Sequence, residues 1–127
     1  MRVVSLDHLV LTVADPQATV EFYERVLGME RVVFGDGRPA LRFGRQKLNL
    51  HRAGHELEPK AARPVPGSAD LCLLVDGPIE AVVAELDALG VSVEEGPVER
   101  TGATSALRSV YLRDPDGNLV EISEPQG

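Results

Sequence analysis

Apolar and polar residues alternate in several short stretches of this chain and recur every three or four positions in others. Leu9, Leu11 and Val13 alternate with His8, Val10 and Thr12, which predicts a strand from about Val4 to Ala14. Asp15-Pro16 then reads as a helix start, with Asp as N-cap and Pro in the first turn. Val20, Tyr23, Val26 and Leu27 follow at helical spacing, and Gly28 suits the residue just past a helix end. Glu30 to Phe34 predicts a second strand. Gly35-Asp36-Gly37 signals a hairpin into a third strand, Pro39 to Phe43, and Lys47 to His51 reads as a fourth. The first half is therefore expected to run β-α-β-β-β.

From Arg52 to Ser68 no period survives, and Pro59, Pro64, Pro66 and Gly67 mark a linker. The second half then repeats the plan. Leu71, Leu73 and Val75 predict a strand over Ala69 to Asp76, and Gly77-Pro78 opens a helix carrying Ile79, Val82, Val83 and Leu86 that Gly90 closes. Val91 to Glu95 is expected to be a strand, Gly96 to Ala106 a loop, and Ser109 to Arg113 a strand. The turn Asp114-Pro115-Asp116-Gly117-Asn118 leads into a last strand, Leu119 to Ser123. Shifting the chain by about 62 positions sets Leu9 on Leu71, Pro16 on Pro78, Val20 on Val82 and Gly28 on Gly90, the mark of an internal repeat. The expectation is an α+β fold of two paired βαβββ modules, at about 1–52 and 69–124, joined by a linker at about 53–68 within a single domain of residues 1–127. The paired modules are expected to form a curved mixed sheet around a cleft, because a helix covers only one face of each sheet.

Alternation also assigns faces. If Leu9, Leu11 and Val13 meet the helix, His8 and Thr12 face away. In the same way Asn49 and His51 oppose Leu48 and Leu50, Asp70 and Cys72 oppose Leu71 and Leu73, and Glu121 opposes Val120 and Ile122. Four metal-competent side chains, His8, His51, Asp70 and Glu121, thus share one side of the predicted sheets. The repeat pairs His8 with Asp70, and place in the last strand of each module pairs His51 with Glu121. Two imidazoles and two carboxylates suit a divalent ion such as Ni²⁺, Zn²⁺, Mn²⁺, Co²⁺ or Fe²⁺. Thr12, Asn49, Arg42 and Tyr111 are strand residues expected to border the same cleft and contact a small-molecule substrate, and Arg108 with the Gly96–Ala106 loop is expected to act there as a lid or an anion clamp. Asp114 to Asn118 lacks the acidic spacing of a calcium loop and reads as a turn that aims Glu121. Cys72 reads as a small buried thiol.

Composition narrows the classes. The 127 residues are 43% hydrophobic and 26% charged, with a net charge of −7, which excludes a disordered chain and disfavours nucleic acid or an anionic membrane as partner. One cysteine makes no intramolecular disulfide. No apolar run approaches the roughly 20 residues that span a bilayer, and Asp7 and His8 interrupt any secretory leader. A cytoplasmic location is expected.

The segments LDHLVLTV, FYERVLGME, KLNLHRAG and SVYLRDPDGNLVEIS resemble the vicinal oxygen chelate superfamily of glyoxalase I, fosfomycin- and bleomycin-resistance proteins and extradiol dioxygenases. EPKAARPVPGSADLCLLV and EEGPVERTGA are similar to the subfamily of glyoxalase domain-containing protein 5 and bacterial relatives described as virulence proteins. The resemblance implies a metal in a cleft between βαβββ modules and a homodimer. His8 and Glu121 match first-strand and last-strand ligands, His51 takes a place where glyoxalase I carries Glu, and Asp70 stands where many relatives carry His. The expected function is a metal-dependent isomerase, epimerase or lyase acting on a small substrate with vicinal oxygens, with Glu121 or Asp70 moving a proton. Two alternatives remain open: a non-catalytic binding or antibiotic-sequestering protein of the bleomycin-resistance type, and a dioxygenase.

Overall fold

A computed structural model describes residues 1–127 as two compact units, Met1–Gly67 and Ser68–Gly127. Unit 1 runs β1 (His8–Val13), α1 (Pro16–Leu27), β2 (Glu30–Phe34), β3 (Arg38–Phe43) and β4 (Gln46–Arg52). Its sheet has the order β1-β4-β3-β2, with β1 parallel to β4 and the remaining pairs antiparallel. Unit 2 repeats this with β5 (Asp70–Leu74), α2 (Ile79–Ala88), β6 (Glu95–Thr101), β7 (Ala106–Arg113) and β8 (Leu119–Gln126) in the order β5-β8-β7-β6. The fold is α+β: two four-stranded mixed sheets, each with one helix, and no closed barrel.

Local chemistry explains where the helices begin and end. The Asp15 carboxylate accepts from the backbone N–H groups of Gln17 and Ala18, and Pro16 has no N–H to satisfy. Gly28 takes the left-handed conformation, and the N–H groups of Gly28 and Met29 return to the carbonyls of Glu24 and Tyr23. Pro78 cannot cap α2 through its side chain. The Glu124 carboxylate of β8 instead accepts from the Ile79 N–H at 3.0 Å.

Each helix covers one sheet face. In unit 1, Leu11, Val13, Leu41, Leu48 and Leu50 are buried with Val20, Tyr23 and Val26 of α1. In unit 2, Val110, Leu112, Val120 and Ile122 are buried with Ile79 and Leu86 of α2. The alternation fades toward the start of β1, where Leu9 is 38% exposed against 4% for Leu11.

The largest departure from the expected elements is β6. Val91 to Glu94 forms no strand, and Glu95–Thr101 pairs with β7 where a loop is predicted. This edge strand carries Gly96, Pro97 and three charged residues, so it shows no apolar alternation, and a register shift between Glu95 and Val98 lets the ladder pass the proline, which has no N–H. Gly96 has φ +112°, and a Cβ there would stand 2.4 Å from the Ser109 carbonyl oxygen. Gly96→Ala is therefore expected to cost about 3 kcal/mol in urea denaturation. A loss below about 1 kcal/mol would contradict the close approach of β6 to β7.

Candidate functional site

In both units the sheet face away from the helix carries the polar residues that alternation assigned to it. In unit 1 the cross-strand partners His8, Lys47, Arg42 and Glu30 form one row, and Val10, Asn49, Ala40 and Val32 form the next. In unit 2 Asp70, Leu119 and Arg113 form one row, and Cys72, Glu121, Tyr111 and Glu95 the next.

These registers correct one correspondence expected from the sequence. His8 is opposite Lys47, and His51 is opposite Thr12, four residues further along the strands and about 13 Å away at ~3.3 Å per residue. Asp70 is opposite Leu119, and Glu121 lies only two residues beyond. With His8 matched to Asp70, the counterpart of Glu121 is therefore Asn49, and that of His51 is Ser123. Position in the last strand misled because His51 stands fifth in the predicted strand Lys47–His51 whereas Glu121 stands third in Leu119–Ser123, while both strands open their pairing at equivalent points, Lys47 with His8 and Leu119 with Asp70.

The implied metal can be tested on what these faces carry. Within neither unit do three His, Cys, Asp or Glu side chains gather as ligands. Each unit presents a diagonal pair of donors instead: His8 with Asn49, and Asp70 with Glu121. His8 Nδ1 lies 2.8 Å from the Asp7 carboxylate, so donation of the Nδ1 proton would leave the Nε2 lone pair free. Asn49 Oδ1 is a buried oxygen with no hydrogen-bond partner, an acceptor waiting for a cation or a donated proton. Imidazole nitrogen, amide oxygen and carboxylate oxygen are each donor types that divalent ions accept.

Unit 2 builds a cleft of about 440 Å³ over its polar face. Cys72, Leu74, Leu107, Glu121 and Pro125 lie in its lining, with residues 100–105 along one side. Ser123 Oγ donates to Glu121 Oε2 at 3.2 Å and lies 2.7 Å from Ser109 Oγ and 3.2 Å from Cys72 Sγ. A hydroxyl has one proton, so while Ser123 gives it to Glu121, both Ser109 and Cys72 must donate to Ser123. The chain of donors ends on the carboxylate. Partial burial of its sulfur pushes the Cys72 thiol pKa up, the Ser123 hydrogen bond opposes this, and the Glu121 charge adds to the rise. Cys72 is exposed, where a buried thiol was expected. Beside Glu121, the Tyr111 hydroxyl accepts from Arg100 Nε at 2.8 Å, and Arg100 also donates to Glu95. A second, smaller cleft in unit 1, about 230 Å³, is lined by Val10, Thr12, His51 and Pro59 to Ala61.

The remaining candidates divide by face. Tyr111 and Arg42 lie on the polar faces, Arg42 paired with Glu30 at 2.7 Å. Arg108 lies on the opposite side of its sheet, paired with Glu80 of α2. The basic side chain at the unit 2 cleft is Arg100, hidden from pattern reading because β6 has no alternation. Asp7 and Ser109 were also missed; adjacency to His8 and the odd-numbered face of β7 were the available signals.

The Asp114–Asn118 turn positions Asp70. Asn118 Oδ1 accepts from the Ala69 N–H at 2.8 Å, the Leu119 N–H donates to the Ala69 carbonyl, and Asp114 ties the Asn118 backbone and amide.

Residues 5–122 match the family model of the Glyoxalase/Bleomycin resistance protein/Dioxygenase superfamily. The chain is 59% identical over 119 residues to virulence protein STM3117 of Salmonella typhimurium, covering 94% of this chain and 83% of that protein. The crystal structure of that protein matches with a TM-score of 0.97 over 99% of this chain and 100% of the other, at 56% identity. Glyoxalase domain-containing protein RDO1 of Mycosarcoma maydis is 52% identical over 126 residues, 99% of this chain and 71% of that protein. The structure of a lactoylglutathione lyase from Agrobacterium tumefaciens is 28% identical with a TM-score of 0.72, covering 94% of this chain and 92% of the other.

Asn118→Ala is expected to cost about 2 kcal/mol by leaving the Ala69 N–H without its acceptor. Hydrogen exchange should show lost protection at Ala69, and unchanged protection there would remove Asn118 from the positioning of Asp70.

Proposed function

This chain belongs to the Glyoxalase/Bleomycin resistance protein/Dioxygenase superfamily, and we propose that it is a metal-dependent enzyme of isomerase, epimerase or lyase type acting on a small substrate with two adjacent oxygens. The observation that carries this reading is the Glu121 carboxylate, set in an apolar-walled cleft and held by a chain of hydroxyl donors. A carboxylate so placed can take a proton from carbon and return it, while Ser123 keeps Oε2 oriented.

The proposed protein ligands are His8 with Asn49 Oδ1 diagonal to it on unit 1 and Asp70 with Glu121 on unit 2, whereas His51 lies about 13 Å along the strands from His8, too far to share an ion with it. A bound divalent ion would act as a Lewis acid toward the substrate oxygens. The chain's own groups would do the rest. Glu121 or Asp70 would move the proton, Tyr111 would present a hydroxyl whose oxygen Arg100 already engages, and Thr12 and Asn49 would orient polar groups of the substrate. Arg42 lies on the same face, already neutralised by Glu30. We place the reaction in the cytoplasm and the working form as a homodimer.

Protein purified without chelator or affinity tag should retain a divalent ion or bind one on titration with Ni²⁺, Zn²⁺, Mn²⁺, Co²⁺ or Fe²⁺. His8→Ala and Glu121→Ala should each weaken binding at least about tenfold with the fold intact. Asn49→Ala should weaken binding as well, whereas His51→Ala should leave it unchanged. Occupancy below about 0.2 ion per chain at saturating metal would sink the enzyme reading. The apolar walls formed by Leu74, Leu107 and Pro125 would then favour non-catalytic binding of a small molecule.

A further inference from the structure

We propose that the polar face of unit 1 contains an anion site, formed by Lys47 and Arg38 around the ring of Phe34, and that the small ligand of this chain carries a carboxylate or phosphate group that occupies it. The inference rests on the reading above only in treating that anion as part of the substrate.

Lys47 Nζ lies 3.6 Å from the centroid of the Phe34 ring, and the Arg38 guanidinium carbon lies 4.8 Å from the same centroid. The ring attracts both cations through its quadrupole but neutralises neither. Three other bases of unit 1 are served differently. Arg42 is paired with Glu30 at 2.7 Å, Arg31 with Glu24 at 2.8 Å, and Lys60 has Glu56 and Glu58 at 3.5 and 3.6 Å. Lys47 and Arg38 have no carboxylate partner, although the chain holds 20 acidic residues. Two like charges drawn to one ring repel each other, and an anion lying between them would remove that repulsion.

Backbone geometry places both side chains on the face that carries the candidate ligands. Lys47 is the cross-strand partner of both His8 and Arg42, and it stands two residues before Asn49. Arg38 follows the Gly35–Gly37 turn and is the partner of Phe34 across β2 and β3. The chemistry of the two donors is complementary: the guanidinium offers a planar fork to two oxygens, and the ammonium a point charge. Charge distribution agrees with this. Unit 1 carries ten Lys and Arg against eight Asp and Glu, whereas unit 2 carries three against twelve, so an anion is drawn to unit 1 in an otherwise acidic chain.

The test is NMR of the ¹⁵N-labelled full chain titrated with two probes, inorganic phosphate and malonate. The expected result is saturable shifts centred on Phe34, Arg38 and Lys47, weakened by added NaCl. Shifts with phosphate alone would assign a phosphate ester, and shifts with malonate alone a carboxylate. The Lys47→Gln/Arg38→Gln pair should weaken binding at least about tenfold, and Lys47→Arg should retain it. The mapping in the unsubstituted protein stands even if the double variant fails to fold. Glu121→Gln should leave the anion shifts unchanged while weakening metal binding, so the two readings fail separately. The proposal is overturned if neither probe shifts these residues, if the shifts centre elsewhere, or if the folded double variant binds as tightly as the original chain.

Discussion

A four-stranded sheet with a single helix has one dry face and one face left over, and the rest of this protein follows from that asymmetry. Burying a Leu or Val against α1 or α2 is worth about 1.5–3 kcal/mol, so Leu41, Leu48, Leu112 and Ile122 turn toward the helices. The period of two then leaves no freedom for their neighbours. His8, Asn49, Asp70 and Glu121 occupy the opposite faces because residues beside them in sequence are committed to the cores.

The two polar faces share a plan and differ in charge. Each carries a diagonal pair of oxygen or nitrogen donors on its parallel edge, His8 with Asn49 and Asp70 with Glu121. Around the first pair stand Lys47, Arg42 and Arg38; around the second stand Cys72, Tyr111 and Glu95. The repeat preserved the backbone that aims these positions while the side chains diverged. In unit 2 the buried hydroxyls of Ser109 and Ser123 satisfy each other and end on Glu121, so a carboxylate acquires a defined orientation at little cost in unpaired polar atoms. In unit 1 Asn49 Oδ1 has no such partner, and a ligand is the natural source of one.

Much of this was legible in the chain. The capping chemistry of Asp15, Pro16 and Gly28 marks α1 directly, and the alternation in β1, β4, β5 and β8 assigns each candidate its face. β6 was not legible, because an edge strand with Gly96 and Pro97 needs no apolar side and shows none. Its misreading as a loop also concealed Arg100, while Arg108, expected to act with that loop as an anion clamp, pairs with Glu80 on the other side of the sheet. Cys72 was expected to be buried by its residue type, yet at the sheet edge in β5 too little covers it.

By itself the sequence determined which face the residues of β1, β4, β5 and β8 take, where α1 begins and ends, and that the plan occurs twice. These are local properties, set by backbone sterics and by neighbours within a few positions. Register was decided only in the tertiary structure, because β1 pairs with β4, and β5 with β8, across an intervening helix and two strands. That pairing depends on packing against α1 and α2 and on contacts such as Asn118 with Ala69, none of which is encoded in the spacing of either strand. It sets Glu121 diagonal to Asp70, moves His51 four residues away from His8, and gives Asn49 the position that alternation alone could not distinguish from its neighbours.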